Sequence, residues 1–230
     1  MRPDQGGAGK GIWGSPRPSI LGVDWPGCFA GYAVVPESNL WSNPRDLPPA
    51  VASVQEPFGN AVDTVFAGDV PGRSFLVIGC GPIGLMAVAV LRASGASFIA
   101  ASDLSAYRLG LATQVGADLA LDDGRVDVVA EVLGRTGGEG VDAVLEMSGA
   151  RQALDQALRV TRNGGRVTVL GLPGAPVPLD VAGLVFKGLT LQGITGRRLW
   201  DTWHRTRSGE KRAWAAMGLA HLADPMRSGH

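Results

Sequence analysis

A short apolar strand runs directly into a glycine-rich turn at Phe75-Leu76-Val77-Ile78-Gly79-Cys80-Gly81-Pro82-Ile83-Gly84, where three glycines have the spacing GxGxxG. Gly79 permits the tight turn, Gly81 lets the backbone approach a pyrophosphate, and Gly84 lets the next helix pack closely on the strand. The N-terminus of that helix points unpaired N–H groups at the anion. Because the motif lies between a strand and an apolar helix, it predicts dinucleotide binding rather than a glycine-rich turn alone.

Asp103 ends the next predicted strand, nineteen residues beyond Gly84. An acidic side chain at this position can accept hydrogen bonds from the 2′-hydroxyl of the adenosine ribose, which favours NAD. The 2′-phosphate of NADP would meet the carboxylate as a like charge, although Arg108 could partly offset the repulsion. The alternative is that Asp103 only caps the following helix, where Ser105 is a second capping candidate.

Strands and helices alternate regularly from residue 74 onward. Strands are predicted at Phe75–Ile78, Phe98–Ser102, Leu119–Leu121, Val141–Glu146, Arg166–Leu170 and Leu189–Gln192. Helices are predicted between them at Ile83–Ala93, Ala106–Val115, Val126–Leu133, Ala153–Val160 and Val181–Phe186. This alternation predicts an α/β fold, a doubly wound parallel six-stranded sheet of the Rossmann type. Ligands bind such sheets at the carboxyl ends of the strands, where the strand order reverses.

The remaining segments divide the chain into four parts. We expect residues 1–19 to be a disordered leader, because glycine and proline dominate them. Residues 20–67 are interpreted as the remnant of a β domain, with a strand at 28–35 that stops at Pro36. A linking helix is predicted over 48–67, kinked or interrupted by Pro57. Residues 68–203 form the predicted NAD-binding domain, and 204–230 form a divergent tail.

Composition excludes several other classes of protein. Lys+Arg and Asp+Glu both number 21, and no basic block follows a nucleic-acid backbone, so we expect no nucleic-acid partner. No apolar run is long enough for a membrane span, and no signal peptide starts the chain, so the expected location is the cytoplasm. The only cysteines, Cys28 and Cys80, cannot form a disulfide framework or a four-thiolate zinc site. A methyltransferase that binds S-adenosylmethionine is a minor alternative. It is disfavoured by Gly84, the third glycine of the turn, which belongs to the pyrophosphate-binding motif.

The chain from Ile20 to Trp203, about four fifths of its length, resembles the L-threonine 3-dehydrogenase branch of the zinc-dependent medium-chain dehydrogenase/reductase superfamily. The stretches that carry the resemblance are Leu21-Gly22-Val23-Asp24, Gly27-Cys28-Phe29-Ala30, Gln55-Glu56-Pro57-Phe58-Gly59-Asn60-Ala61-Val62-Asp63-Thr64, the GxGxxG turn, Glu146-Met147-Ser148-Gly149-Ala150 and Gly193-Ile194-Thr195-Gly196-Arg197. Sorbitol and other polyol dehydrogenases share the architecture and the Glu-Pro pair. The Gly-Asn-Ala-Val and Gly-Ile-Thr-Gly-Arg segments favour the threonine branch.

The resemblance implies a set of cofactor contacts beyond the glycine turn. These are Ile83, Asp103, Arg108, Leu170, Gly171, Leu172, Ile194 and Thr195. It also implies hydride transfer from a secondary alcohol such as L-threonine to NAD, with a zinc ion held under a GroES-like β domain. Glu56 matches a carboxylate near that zinc, and it is the one metal ligand the resemblance assigns here. No Cys-His-Glu triad precedes Gly59, so zinc binding is doubtful and no catalytic residue is assigned.

Three hypotheses about activity therefore stay open. The chain is an NAD-dependent dehydrogenase, a non-catalytic NAD-binding relative without a zinc site, or a fragment truncated at both ends by a mis-started or frameshifted gene. His204, His221 and His230 have a spacing that fits no zinc pattern. The resemblance further implies a homo-oligomer that pairs through the last strand of the sheet, predicted at 189–192.

Overall fold

The computed structural model describes residues 21–37, 43 and 45–196. The strands are β1 (Ser74–Ile78), β2 (Phe98–Asp103), β3 (Leu119–Asp122), β4 (Val141–Glu146), β5 (Thr161–Val169) and β6 (Thr190–Gly193). The helices are α1 (Pro49–Ala52), α2 (Gln55–Val65), α3 (Pro82–Ala93), α4 (Ala106–Gln114), α5 (Val128–Arg135), α6 (Ala153–Val160) and α7 (Val181–Phe186). The predicted leader 1–19, the tail 204–230 and the three histidines lie outside the described residues.

All six strands run parallel in the order β3-β2-β1-β4-β5-β6. The order reverses between β1 and β4, which places the open crevice beside the glycine turn that follows β1. The predicted α/β fold with a doubly wound six-stranded sheet is confirmed.

Helices cover both faces of the sheet because each central strand carries apolar side chains on both sides. In β1, Phe75 and Val77 pack into one core with α2, α3 and α4, whereas Leu76 and Ile78 pack into a second core with α5 and α6. Successive side chains of a strand point to opposite faces, so an uninterrupted apolar strand requires cover on both. Leu76 is fully buried, as expected for the middle strand of such a sandwich.

Side-chain caps fix where two of these helices begin. The Ser105 hydroxyl accepts a hydrogen bond from the Arg108 N–H and starts α4, as predicted for one of the two capping candidates. The Asp127 carboxylate accepts from the N–H groups of Val129 and Ala130, so α5 starts at residue 128 and not at 126.

Strand β5 begins five residues earlier than predicted. Thr161 pairs with Val141 before the register shifts, and regular pairing resumes where Arg166 lies opposite Ala143. The intervening residues contain Gly164, which has a φ of +71°, and they form an irregular stretch of the strand. The prediction at 166–170 therefore found only the regular part, because a glycine-rich bulge has no alternating apolar pattern.

The predicted strand at 28–35 is wrong. In that segment Phe29, Tyr32 and Val34 are almost completely exposed, and the described residues 21–37 form only an isolated bridge between Leu21 and Trp25. A strand needs a hydrogen-bonded neighbour, and an apolar sequence alone does not supply one. The interpretation of residues 20–67 as a remnant of a β domain stays a prediction.

The linking helix is interrupted near Pro57, but the break lies at residues 53–54, between α1 and α2. Pro57 itself is the third residue of α2. It has no N–H to donate to the Ser53 carbonyl four residues earlier, and its ring crowds that group. The helix therefore ends before Ser53 and restarts at Gln55, two residues before the proline. Phe58 and Val62 of α2 then pack into the same core as α3.

Candidate cofactor site

The glycine turn after β1 has a backbone that only its glycines allow at two positions, and it leaves open space above a third. Gly79 has a φ of +94°, a conformation that side chains disfavour. A Cβ on Gly84 would overlap the carbonyl oxygen of Gly79, so α3 can lie this close to β1 only with glycine there. A Cβ on Gly81 would meet no described atom within 4 Å, which leaves the space above the turn open. No side chain in the described part of the chain caps α3 at Gly81, so its N-terminus faces that space.

Asp103 lies beside this turn, as the sequence predicted. Its Oδ2 accepts a hydrogen bond from the Cys80 N–H at 2.7 Å, and its Oδ1 accepts from the Ser105 N–H at 2.8 Å. The Arg108 guanidinium lies 3.8 Å from the same carboxylate. The side chain of Asp103 is 9% exposed, and both of its oxygens accept a backbone hydrogen bond, so the carboxylate is held in place. Ser105, and not Asp103, caps α4.

Cys80, inside the turn, is not a reactive thiol. Burial, followed by the negative charge of Asp103, raises the pKa of Cys80 to about 12, against an opposing contribution from Arg108. Its Sγ lies 3.6 Å from the Ser102 carbonyl oxygen, to which it donates. A thiol that stays protonated is a poor nucleophile and a poor metal ligand.

The far side of the crevice is built by the turns after β4 and β5. Glu146 pairs with Ile78 of β1 on one side and with Val169 of β5 on the other. Its backbone carbonyl accepts hydrogen bonds from the N–H groups of Leu170 at 2.9 Å and Gly171 at 3.0 Å. Its carboxylate folds the turn that contains Ser148.

Sequence reasoning gave Glu146 and Ser148 no role in the site. The available signal was a glutamate at the end of the otherwise apolar half-strand 143–145, directly before a Ser-Gly turn.

The other predicted cofactor residues lie along the same edge of the sheet. Ile83, in the first turn of α3, is partly buried, as are Leu170 and Gly171 after β5. The Leu172 side chain is 91% exposed. After β6, Ile194 is partly buried and donates its N–H to the Val169 carbonyl, and Thr195 is exposed. The structure therefore brings all the predicted positions to the carboxyl edge, and their contacts with a cofactor stay predictions.

The described residues do not fit a zinc ion. Among residues 21–37, 43 and 45–196, no group of three or more His, Cys, Asp or Glu side chains could hold a metal. Glu56 is exposed on α2, and its carboxylate accepts a hydrogen bond from the Asn60 amide at 3.0 Å. Catalytic zinc needs three protein ligands and an open position. We therefore derive no step through zinc from this chain.

In the same described part, no helix is long and apolar enough to cross a membrane.

A parallel sheet of this strand order, with this glycine turn and a carboxylate after β2, defines a dinucleotide-binding domain of the Rossmann class. Residues 82–208 match the family model described as zinc-binding dehydrogenase. The chain belongs to the zinc-binding dehydrogenase family, as the resemblance in its sequence predicted.

Curated relatives specify the branch to which the chain is similar. It is 51% identical over 190 residues to the L-threonine 3-dehydrogenase of Symbiobacterium thermophilum, a match that covers 82% of this chain and 54% of that protein. It is 51% identical over 188 residues to the L-threonine 3-dehydrogenase of Bacillus subtilis, covering 81% and 54%. The chain thus spans about half the length of the curated relatives that it matches.

Solved structures agree with the fold. A Sinorhizobium meliloti 1021 chain described as a zinc-binding dehydrogenase bound to NADP superimposes with a TM-score of 0.75 at 28% identity, covering 85% of this chain and 58% of that one. A short chain alcohol dehydrogenase of Escherichia coli CFT073 complexed with NADH has a TM-score of 0.74 at 25% identity, covering 87% and 58%. Both neighbours hold a nicotinamide dinucleotide, so the class of cofactor is a common feature of these relatives.

Proposed function

We propose that this chain is the NAD-binding part of an NAD-dependent dehydrogenase that oxidises a secondary alcohol, with L-threonine as the substrate to test first. The observation that carries the proposal is the position of Asp103, whose carboxylate is bonded to the Cys80 N–H of the glycine turn. In this position the carboxylate borders both the pyrophosphate cradle and the ribose position. The identity to L-threonine 3-dehydrogenases supports the choice of substrate.

Different residues along the carboxyl edge would bind different parts of the cofactor. The open turn at Gly81 and the N-terminus of α3 would bind the diphosphate, because N–H groups and the helix dipole both favour an anion. Asp103 would accept hydrogen bonds from the adenosine ribose. NAD, when bound, would supply the acceptor for the hydride of the alcohol carbon, so that the alcohol is oxidised to a ketone with its hydroxyl proton released to solvent.

NADP is a second candidate for the cofactor, and two observations favour it. A neighbour of the same fold is bound to NADP, and Arg108 lies 3.8 Å from Asp103, close enough to pair with a 2′-phosphate. The Asp103 carboxylate opposes it, because two like charges a few ångströms apart repel by about 4 kcal/mol at an effective dielectric of roughly 20. We therefore expect NADH to bind more tightly than NADPH.

Titration of the purified full chain with NADH and with NADPH, followed by the fluorescence of the reduced nicotinamide, tests this proposal. Asp103→Asn should weaken NADH binding by roughly tenfold or more, because a charge-assisted hydrogen bond contributes about 1.5–3 kcal/mol. The same variant should narrow the preference for NADH over NADPH. Asp155→Asn, which alters a carboxylate 61% exposed on α6, is the matched control and should bind like the wild type. Equal affinity for the two cofactors, or no change in Asp103→Asn, would refute the assignment.

Turnover separates the enzyme from a binding protein. Adding L-threonine and Zn²⁺ to the chain with NAD should give NADH only if the chain can assemble a competent site. Binding of NADH without any turnover would identify the chain as a non-catalytic NAD-binding relative, the alternative supported by the lack of a metal-binding group among residues 21–37, 43 and 45–196. A sorbitol substrate in the same assay tests the polyol alternative.

Pairing of two copies is a further part of the proposal. Strand β6 is the last strand of the sheet, and the neighbouring helix α7 exposes Val185 and Phe186. An open strand edge beside apolar side chains can pair with another copy. Sedimentation velocity of the full chain would distinguish a dimer from a monomer.

A further inference from the structure

We propose that Glu146 is a positioning residue that sets the shape of the nicotinamide end of the crevice; this inference rests on the proposed NAD-binding function. Its side chain is 3% exposed at the carboxyl end of β4. One carboxylate oxygen, Oε1, accepts three hydrogen bonds, from the Ser148 N–H at 2.8 Å, the Ser148 hydroxyl at 2.6 Å and the Gly149 N–H at 2.8 Å. These three donors fold the turn after β4 around the carboxylate.

The turn after β4, which contains Ser148, lies next to the glycine turn after β1. A Cβ added to Gly79 would come within 2.8 Å of the Ser148 Cβ and 2.9 Å of the Ser148 nitrogen. Ser148 therefore occupies the space beside Gly79, the first glycine of the GxGxxG turn, and Glu146 holds Ser148 there. The turn after β4 thus lies next to the glycine turn.

The same carboxylate also limits the turn after β5. Its second oxygen, Oε2, lies 2.5 Å from the position of a Cβ on Gly171, and the Gly149 nitrogen lies closer still. Only a glycine at 171 leaves room for the buried carboxylate. One side chain thus touches the turns after β4 and β5 directly and reaches the turn after β1 through Ser148.

The turns after β4 and β5 would border the nicotinamide half of the proposed ligand. In a sheet of this order, the adenosine half lies on the side of β2, where Asp103 is, and the nicotinamide half crosses towards β4 and β5. Loss of the Glu146 acceptor would leave the Ser148 and Gly149 donors without this partner inside the fold and would let the turns after β4 and β5 shift. The expected consequence is weaker binding of the nicotinamide half with little effect on the adenosine half.

A pair of probes separates this role from a general loss of structure. The full chain and its variants are titrated with NADH, which spans both halves, and with ADP-ribose, which lacks the nicotinamide. Glu146→Ala should weaken NADH roughly tenfold or more while ADP-ribose changes less than about twofold. Glu146→Gln retains an oxygen that accepts the same hydrogen bonds, so it should recover most of the NADH affinity. Glu139→Ala, which removes an exposed glutamate before β4, is the matched control.

Each outcome decides between the two assignments. If the wild-type chain binds neither NADH nor ADP-ribose, the proposed function fails, and the role of Glu146 fails with it. If the wild type binds both and Glu146→Ala weakens both equally, or weakens neither, the positioning role alone is overturned. Should Glu146→Ala fail to fold by circular dichroism, Ser148→Ala, which removes the hydroxyl that donates to the Glu146 carboxylate, must weaken NADH selectively; an unchanged ratio of the two affinities overturns the role.

Discussion

Asp142→Asn should remove a pH-dependent part of the stability of the sheet. Asp142 lies at the amino end of β4, opposite the candidate site, and its Oδ2 accepts from the N–H and hydroxyl of Ser74, both at 2.8 Å. Its Oδ1 accepts from Arg162 at 2.8 Å and pairs with Arg73 at 3.2 Å. Burial raises the pKa of this carboxyl group, but the hydrogen bonds from Ser74 and Arg162 outweigh it and lower the pKa from 3.8 to about 2.

The size of the effect follows from that difference in pKa. The change from 3.8 to about 2 corresponds to at most about 2.5 kcal/mol of stability, and screening by solvent at this partly exposed group reduces it to about 1 kcal/mol. Because the pKa is lower in the folded state, the contribution is fully present above pH 3.8. It is lost as the pH falls through about 2, where the folded chain takes up the proton.

Urea unfolding of the wild type and of Asp142→Asn, followed by far-ultraviolet circular dichroism, measures this contribution. The difference in unfolding free energy should be about 1 kcal/mol or more at neutral pH and should shrink as the pH is lowered from about 4 towards 2. Asp155→Asn, at an exposed pair with Arg159, should cost less than about 0.5 kcal/mol at every pH. A difference for Asp142→Asn that is absent at neutral pH, or constant across the range, would refute the reasoning.

Three further changes test the packing of the domain. Gly84→Ala should weaken NADH binding and reduce stability by about 1–3 kcal/mol, because the new Cβ overlaps the Gly79 carbonyl and must push α3 away from β1; unchanged NADH affinity would contradict this. Leu76→Ala should reduce the free energy of unfolding by about 2–5 kcal/mol, since Leu76 is fully buried between two strands; a loss below about 1 kcal/mol would speak against the described core. Lys187→Met should cost about 1 kcal/mol in urea unfolding, because its ammonium donates to two carbonyl groups near the end of α6; wild-type stability would show that these bonds contribute nothing.

The sequence predicted the sheet because its signals were local and repeated. Apolar β-branched runs, glycine turns and amphipathic helices alternate at the same interval, and right-handed crossovers then leave few strand orders. The GxGxxG turn also predicted which edge of the sheet carries the site, and the Asp103 prediction followed from its distance from Gly84. The structure places the Asp103 carboxylate beside the Cys80 N–H of that turn, and its contact with a cofactor stays a prediction.

The remaining features depend on contacts that no local pattern records. The apolar residues at 28–35 predicted a strand, but pairing requires a neighbour, and the described residues give them none. The bulge in β5 arises where Thr161 and Arg166 pair on either side of an irregular stretch, and its residues carry no periodic signal. Glu146 looked like a family marker. Its role emerges only when the turns after β4 and β5 are seen to meet at one carboxylate, with Ser148 placed beside Gly79.

Hydrogen–deuterium exchange of the full chain with and without NADH locates the cofactor on the fold. We predict slower exchange on binding in peptides that contain the turn at 79–84, the end of β2 at Asp103 and the turns at 146–149 and 170–172. Peptides at the opposite edge, which contain Ser74, Asp142 or Arg162 but none of those turns, should not change. NADH that binds without protecting the turn at 79–84, or that protects the opposite edge instead, would contradict a dinucleotide site at the carboxyl ends of these strands.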